Sequence, residues 1–291
     1  MRIIANPNAG HGGGVKALRD LHTLLSSSDV RCEIIETQYP GQATEITRDL
    51  VDAGERRLIV LGGDGTISEV VNGLSSAEVE LGILSVGTGN DVARSLGLPI
   101  NDLKRGLKVI SAGETRTMDV GWERDRRFVS VLGFGFPATV AAETNRMKRL
   151  KGSPAFFIAV YKALYRMKPL SARIILDDQT LDLQCTSVLI QNTPYTGGGL
   201  LMAPGAKVDD GLFDVVVVDA IGKLDLMVNF PKAYRGKHLK HPSFRVYRSS
   251  SVRIESPHPE DKMFDGDIYG RTPLEARVLA GKLKVIAPKE R

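Results

Sequence analysis

Over the first 120 or so residues, apolar side chains come in short unbroken blocks, Arg2 to Ala5, Cys32 to Glu36, Leu58 to Leu61 and Leu81 to Ser85. Between the blocks the apolar positions recur every three or four residues, near Gly13 to Ser27, Gln42 to Ala53 and Ile67 to Leu74. Blocks of the first kind read as buried strands and those of the second as helices with one buried side. Their alternation predicts right-handed βαβ units and a parallel sheet covered on both faces. After about Asp119 the pattern shifts to short segments rich in β-branched residues and separated by turns: Arg127 to Leu132, Ala172 to Leu176, Leu181 to Gln191, Leu212 to Asp219, Phe244 to Tyr247, Ser251 to Glu255 and Lys282 to Ala287. These predict a mostly antiparallel β-domain with a helix or two inserted. The main insertion, about Pro154 to Lys168, puts Phe156, Val160, Leu164 and Met167 at helical spacing. The expectation is an α/β domain over residues 1–120 and a β-domain over 121–291, the last few residues being free to return to the first.

Composition adds little to this until position is considered. A chain of 291 residues exceeds a typical single core. No basic-plus-apolar leader opens it, and its longest apolar run, Ala155 to Tyr161, is far too short to span a bilayer. The expected location is therefore cytoplasmic. Cys32 and Cys185 stand apart from any second thiol or histidine at ligand spacing, which makes both buried free thiols. His11, His22, His238, His241 and His258 form no metal spacing either and read as surface or packing residues. The net charge of +5 is mild, yet its distribution is uneven. No acid occurs from Thr144 to Leu176, which holds Arg146, Lys148, Arg149, Lys151, Lys162, Arg166, Lys168 and Arg173. None occurs from Leu226 to Ile254, with Lys232, Arg235, Lys237, Lys240, Arg245, Arg248 and Arg253. Such blocks are either solvated faces or seats for anionic partners. No nucleic-acid recognition motif accompanies them, so no nucleic-acid partner is expected.

The candidate chemistry lies in glycine-rich turns after three of the first four strands: Asn6-Pro7-Asn8-Ala9-Gly10, Gly62-Gly63-Asp64-Gly65-Thr66 and Gly87-Thr88-Gly89-Asn90-Asp91. In a parallel sheet all three fall on the carboxyl edge, where ligands bind. Glycine at 63 and 65 lets backbone N–H groups approach a phosphate chain at the start of a helix. Asp64 would repel that phosphate unless a hard cation such as Mg²⁺ lay between them. The run lacks the Lys-Ser/Thr pair of a Walker A loop and is not a G-x-G-x-x-G fingerprint. An ordinary strand-to-helix turn also uses Gly-Asp-Gly, Asp91 also reads as the cap of a helix starting at Val92, and Asp265-Gly266-Asp267 as a hairpin turn.

These three turns, with Asn192, Gly197-Gly198-Gly199, Ala203-Pro204, Asp209-Asp210-Gly211 and Asp265-Gly266-Asp267, occur in an order that resembles the diacylglycerol kinase catalytic family over essentially the whole chain. That family includes sphingosine kinases and bacterial lipid kinases. The resemblance implies an α/β nucleotide domain and a β-sandwich, with ATP bound in the cleft between them. It implies ATP contacts at Asn6, Pro7, Asn8, Ala9, Gly10, Thr37, Gly62, Gly63, Asp64, Gly65, Thr66, Ile67, Ser68, Glu69 and Thr88. It also implies a structural Mg²⁺ at Lys207, Asp210 and Leu212, held by one carboxylate and two backbone carbonyls. Asp267 matches the proton acceptor, where the family usually has glutamate.

The expected reaction is ATP- and Mg²⁺-dependent transfer to the hydroxyl of diacylglycerol or a related lipid. Asp64 and Asp91 hold hydrated Mg²⁺, Asp267 serves as general base, and Gly197, Gly198, Gly199 and Asp265 lie near the substrate. The lipid stays in the bilayer, so transient contact with an anionic membrane is expected, with the helix carrying Phe156 and Phe157 as the candidate contact. A homodimer stays open. The alternatives are a kinase of the same fold for a soluble substrate such as NAD, and a catalytically silent module that binds nucleotide or membrane.

Overall fold

Residues of the apolar blocks form strands because side chains buried on both faces leave the backbone to satisfy itself with its neighbours. In a computed structural model, which describes residues 1–26, 32–75, 78–147 and 153–288, the chain divides into two units, Met1–Val120 with the segment from Ala280 onward, and Gly121–Leu279. In the first, the chain runs through β1 (Arg2–Ala5), α1 (Gly13–Ser26), β2 (Glu33–Glu36), α2 (Gln42–Asp52), β3 (Arg57–Gly62), α3 (Asp64–Gly73), β4 (Glu80–Ser85), α4 (Asp91–Ser95) and α5 (Leu103–Ala112). The strands pair in the order β2-β1-β3-β4, all parallel. Ile3, Ala5, Ile59, Leu61 and Leu84 pack with Leu18 and Leu21 of α1 on one side of this sheet.

Three features depart from the sequence pattern. Helix α3 begins at Asp64, three residues before the predicted start at Ile67, because Gly63 is extended at the N-cap. The Asp-Gly-Thr run is therefore the helix's first turn and not a loop before it. Helix α5 is not predicted by the pattern, since Gly106 interrupts it; a Cβ there would lie 2.7 Å from Leu84 Cδ2, so the glycine lets α5 settle on β4. Cys32, expected to be buried, is half-exposed ahead of β2, whereas Cys185 is fully buried and its thiol is pushed up to about 12, by burial first and by the charge of Asp219.

The second unit is a β-sandwich with helices on one outer face. β5 (Thr115–Glu123) leads into it, followed by β6 (Arg126–Phe128), β7 (Val131–Gly135), α6 (Phe136–Arg146), α7 (Ser153–Arg166), β8 (Leu170–Ile175), β9 (Thr180–Gln191), β10 (Tyr195–Thr196), β11 (Leu200–Leu201), β12 (Phe213–Asp219), α8 (Lys223–Asn229), β13 (Phe244–Ser249), β14 (Ser251–Glu255), β15 (Asp261–Phe264), β16 (Asp267–Arg271) and β17 (Leu274–Ile286). β9 belongs to both sheets: its first half pairs with β8, its second with β7 and β12. Between the sheets lie Phe128, Phe134, Val188, Phe213, Ile254 and Phe264. The basic residues Lys148, Arg149 and Lys151 fall outside the described residues.

β17 serves both units. Its start pairs antiparallel with β14, Arg277 opposite Ser251, and its end pairs parallel with β4, Lys284 opposite Glu80. The strand predicted over Arg127 to Leu132 is interrupted after Phe128. The N–H groups of Val129, Ser130 and Val131 all donate to the carboxylate of Asp265, at 2.9, 2.8 and 3.1 Å.

Candidate active site

The turns after β1, β2, β3 and β4 share one cavity of about 380 Å³. Asn6, Asn8, Ala9, Gly10, Thr37, Gly63, Asp64, Gly65, Thr66, Glu69 and Thr88 line it, with Gly87 and Gly89 of the third glycine-rich turn, as do Tyr39 and Pro40, which the sequence reading passes over. Pro7, Gly62, Ile67 and Ser68 do not: Ile67 and Ser68 are buried beneath it, and a Cβ on Gly62 would strike the Thr66 side chain at 2.6 Å. Hydrogen bonds stitch the turns together. Asn6 Nδ2 donates to Thr66 Oγ1 at 2.9 Å, and Asn90 Oδ1 accepts from Gly87 N–H at 2.7 Å and from Ser85 Oγ at 2.6 Å. Gly63 and Gly87 meet backbone to backbone, a Cβ on Gly87 lying 2.6 Å from Gly63 Cα. Glycine at 87 is thus required by its neighbouring turn, and at 63 a Cβ would press on Gly87 Cα at 3.0 Å. At Gly65 a Cβ meets nothing within 4 Å, so there the helix backbone is bare toward open space.

Asp64 is the charged centre of this cavity. Its Oδ1 accepts the N–H of Val92 at 3.1 Å, in the first turn of α4. Burial raises its carboxyl above the usual value, while the N–H groups of Val92, Asp91 and Asn90 pull the other way and do not win. The capping alternative for Asp91 is corrected accordingly. Asn90, left-handed with φ 56°, is the N-cap of α4, Asp91 is its first residue, and the carboxylate serving the helix is that of Asp64. Asp91 is itself buried. Among the residues lining the cavity there is no Lys or Arg, and the acids are Asp64 and Glu69. An anionic ligand therefore needs the α3 N-terminus and a cation between its charge and these carboxylates, which is the environment Mg²⁺ with phosphates provides.

In the second unit, Asp265 (φ 48°) and Gly266 (φ 102°) form the two-residue turn of the β15–β16 hairpin. Positive φ at both central positions matches the right-handed twist of the strands. Asp265, expected near the substrate, accepts the three N–H groups before and in β7 and so holds the hairpin to that strand. Asp267 is exposed at the start of β16. Beneath the hairpin, Lys262 Nζ reaches both oxygens of Glu123 at 2.9 Å, and both residues are buried. Gly197, Gly198 and Gly199, all with positive φ, make the loop between β10 and β11. Asp210 Oδ1 accepts the N–H of Leu212 at 3.2 Å, and its Oδ2 pairs with Arg248. Asp214, four residues on, is buried; its Oδ2 has no hydrogen-bond partner and lies 3.9 Å from Arg248 Nε. Burial raises the Asp214 carboxyl, Arg248 lowers it and Asp210 raises it further. Two carboxylates sharing one guanidinium leave room for a divalent charge, so these residues fit a cation. Among the described residues no group of three or more Asp, Glu, His or Cys side chains gathers to hold a metal ion, here or elsewhere, so a cation here would also need backbone carbonyls.

A parallel sheet with ligand-binding turns at its carboxyl edge, joined in one chain to a β-sandwich carrying an exposed acid on a hairpin, is the class of two-domain small-molecule and lipid kinases. Comparison with known proteins narrows this. The family profile "Diacylglycerol kinase catalytic domain" matches residues 1–122, and "YegS C-terminal NAD kinase beta sandwich-like domain" matches residues 130–287. Diacylglycerol kinase of Mycobacterium tuberculosis is 31% identical over 98% of this chain and 94% of its own length, and that of Staphylococcus aureus 30% identical over 99% and 92%. A crystal structure of a candidate diacylglycerol kinase from Bacillus anthracis superposes with a TM-score of 0.79 at 25% identity, covering 99% of this chain and 94% of that one. The chain belongs to the diacylglycerol kinase catalytic family. It is a phosphotransferase with an alcohol group as acceptor.

Proposed function

We propose that the chain transfers the γ-phosphate of ATP to the free hydroxyl of diacylglycerol or a related lipid, with Mg²⁺ as cofactor. The observation that carries this reading is the single cavity to which the glycine turns of three strands contribute, with a bare helix N-terminus at Gly65 and a raised carboxyl at Asp64. Phosphoryl transfer asks the protein to cradle the phosphates, align the acceptor and take up a proton. The N–H groups of the first turn of α3 and of Gly87 to Gly89 cradle the phosphates. Asp64, with Asp91 behind it, would hold Mg²⁺, which would supply the neutralising charge. The Gly197 to Gly199 loop gives the acceptor a close approach. Asp267 orients its hydroxyl and takes the proton at a carboxylate oxygen, a role worth about 100-fold to 10,000-fold in rate. Asp210 with the carbonyls of Lys207 and Leu212 would hold a second, structural Mg²⁺, and the unpartnered oxygen of Asp214 supports a cation there.

The test is transfer of labelled γ-phosphate to diacylglycerol, monoacylglycerol, ceramide, sphingosine and phosphatidylglycerol in mixed micelles, with Asp267→Asn as control. Label on one lipid class, dependent on Mg²⁺ and reduced about 100-fold or more in the variant, is the expected result. ATP binding without transfer to any lipid would overturn the lipid reading in favour of a soluble acceptor or a silent module.

A further inference from the structure

The cavity at the carboxyl edge of the first unit changes character along its length. The turns after β3 and β4 line it with Gly63, Gly65, Gly87 and Gly89, whereas the loop after β2 lines it with Thr37, Tyr39 and Pro40. The strands run in the order β2-β1-β3-β4. At about 4.8 Å per strand spacing, the β2 loop stands roughly 10 Å from the end of β3, where α3 begins. Phosphates held at the N-terminus of α3 therefore leave the rest of a nucleotide to lie across the β1 turn toward β2. Among the described residues that line the cavity, Tyr39 is the one aromatic side chain.

Tyr39 is braced from several sides. Its hydroxyl donates to Glu45 Oε2 at 2.5 Å, in the first turn of α2, and its carbonyl accepts the N–H of Gln42 at 3.2 Å. Gln38 N–H donates to Gln42 Oε1 at 2.6 Å. Helix α2 is tied in turn to α3: Ala43 N–H donates to Glu69 Oε2 at 3.2 Å, and Thr44 Oγ1 to the Glu69 carbonyl at 2.8 Å. The ring is thus linked to the same helix whose N-terminus faces the phosphate end. Yet Tyr39 stays 49% exposed, so packing does not use up its surface. With its hydroxyl engaged, an aromatic ring offers a ligand its π-face and its edge. What complements a fixed ring two strand spacings from a phosphate cradle is a flat heteroaromatic ring joined to phosphate through a sugar. Every base has a π-face, so stacking accepts any of them, and the larger purine covers more of the platform than a pyrimidine does.

We propose that Tyr39 is the platform on which a purine base stacks, which makes the loop after β2 the part of the cavity that selects the nucleotide. The inference rests on the reading of this cavity as a nucleotide site. Calorimetric titration of the full chain, with no lipid present, tests it with the Mg²⁺ complexes of ATP, CTP and tripolyphosphate, the last being a phosphate chain with no base. Wild type is expected to bind ATP more tightly than CTP. Tyr39→Ala should weaken ATP binding about ten-fold or more, the scale of a lost base–aromatic stack, and should narrow the gap between ATP and CTP. Its affinity for tripolyphosphate should match wild type, which shows that the cradle is intact. Tyr39→Phe keeps the ring without the bond to Glu45 and should bind ATP within about three-fold of wild type. ATP bound by Tyr39→Ala as by wild type would overturn the platform and leave the nucleotide site standing. An equal loss in Tyr39→Phe, or an equal loss for tripolyphosphate, would overturn it too, because the residue would then act only by bracing α2. A wild type that binds neither ATP nor tripolyphosphate would sink the nucleotide reading and the platform with it.

Discussion

Asp265 and Asp267 lie two residues apart on one hairpin and perform unlike work. Asp265 accepts three N–H groups around Val129 to Val131, whereas Asp267 projects at the exposed start of β16. Charge-assisted hydrogen bonds of this kind contribute about 1.5–3 kcal/mol each at most, with neighbours sharing the effect. Asp265→Ala is therefore expected to cost about 2–3 kcal/mol of stability in denaturant titration, and to lower turnover by letting the hairpin drift. Asp267→Glu, one methylene longer, should leave melting unchanged and keep activity within about 100-fold, since the hairpin either accommodates the family's glutamate or misplaces it by about 1 Å. A kinase assay beside a melting curve separates the two residues. The sequence singles out both carboxylates, but not which one braces the hairpin, because the partners of Asp265 are 134 or more residues away. Asp64 repeats the lesson: its motif is plain, and its bond to Val92, 28 residues on, is not.

At the level of elements, the packed interior of the second unit holds, among the described residues, one ion pair with both members buried, Lys262 of β15 with Glu123 of β5. Removing one member leaves an uncompensated buried charge, which costs about 3–5 kcal/mol. Lys262→Met should fall in that range by chemical denaturation. Lys262→Met with Glu123→Leu should recover most of it, because the pair's attraction largely offsets its desolvation. A second element-level device is the 3₁₀ turn Lys237–Lys240, which buries His238 completely and hydrogen-bonds its Nε2 to the Met202 carbonyl at 3.1 Å. Burial lowers the imidazole below its ordinary value, against the Met202 bond that raises it. A depressed folded-state value means the unfolded chain takes up the proton first. Stability is full above about pH 6.5 and declines below it, by up to ~1.4 kcal/mol per pH unit until the folded ring also protonates. Melting curves between pH 7.5 and 5.5, as chosen set points about that value, should show this slope, and His238→Asn should flatten it. Strands and long helices were legible at this scale because their periodicity is local. α5 was not, because the glycine that lets it pack on β4 is also what breaks its pattern.

For the molecule as a whole, the change from βαβ alternation to short antiparallel strands near Asp119 marks a real change of architecture, parallel in the first unit and sandwich in the second. The cation expected in the sandwich is tested at this scale. Mg²⁺ should raise the melting temperature of the full chain by a few degrees, the shift expected for about 1 kcal/mol in a protein of this size. Asp214→Asn should abolish that shift, and a response equal to wild type would remove Asp214 from the account.

The course of β17 has a consequence in time. Its residues near Lys284 complete the edge beside β4, and Lys284 pairs there with Glu80 at 2.9 Å, yet some 200 residues separate these partners in the chain. A ribosome adding about 5–20 residues per second needs about 10–40 seconds to cover that interval. Throughout it, β4 presents an unpaired edge that any other extended segment could template. The nascent chain is most exposed to aggregation in that window, and a chaperone that caps strand edges would matter most there.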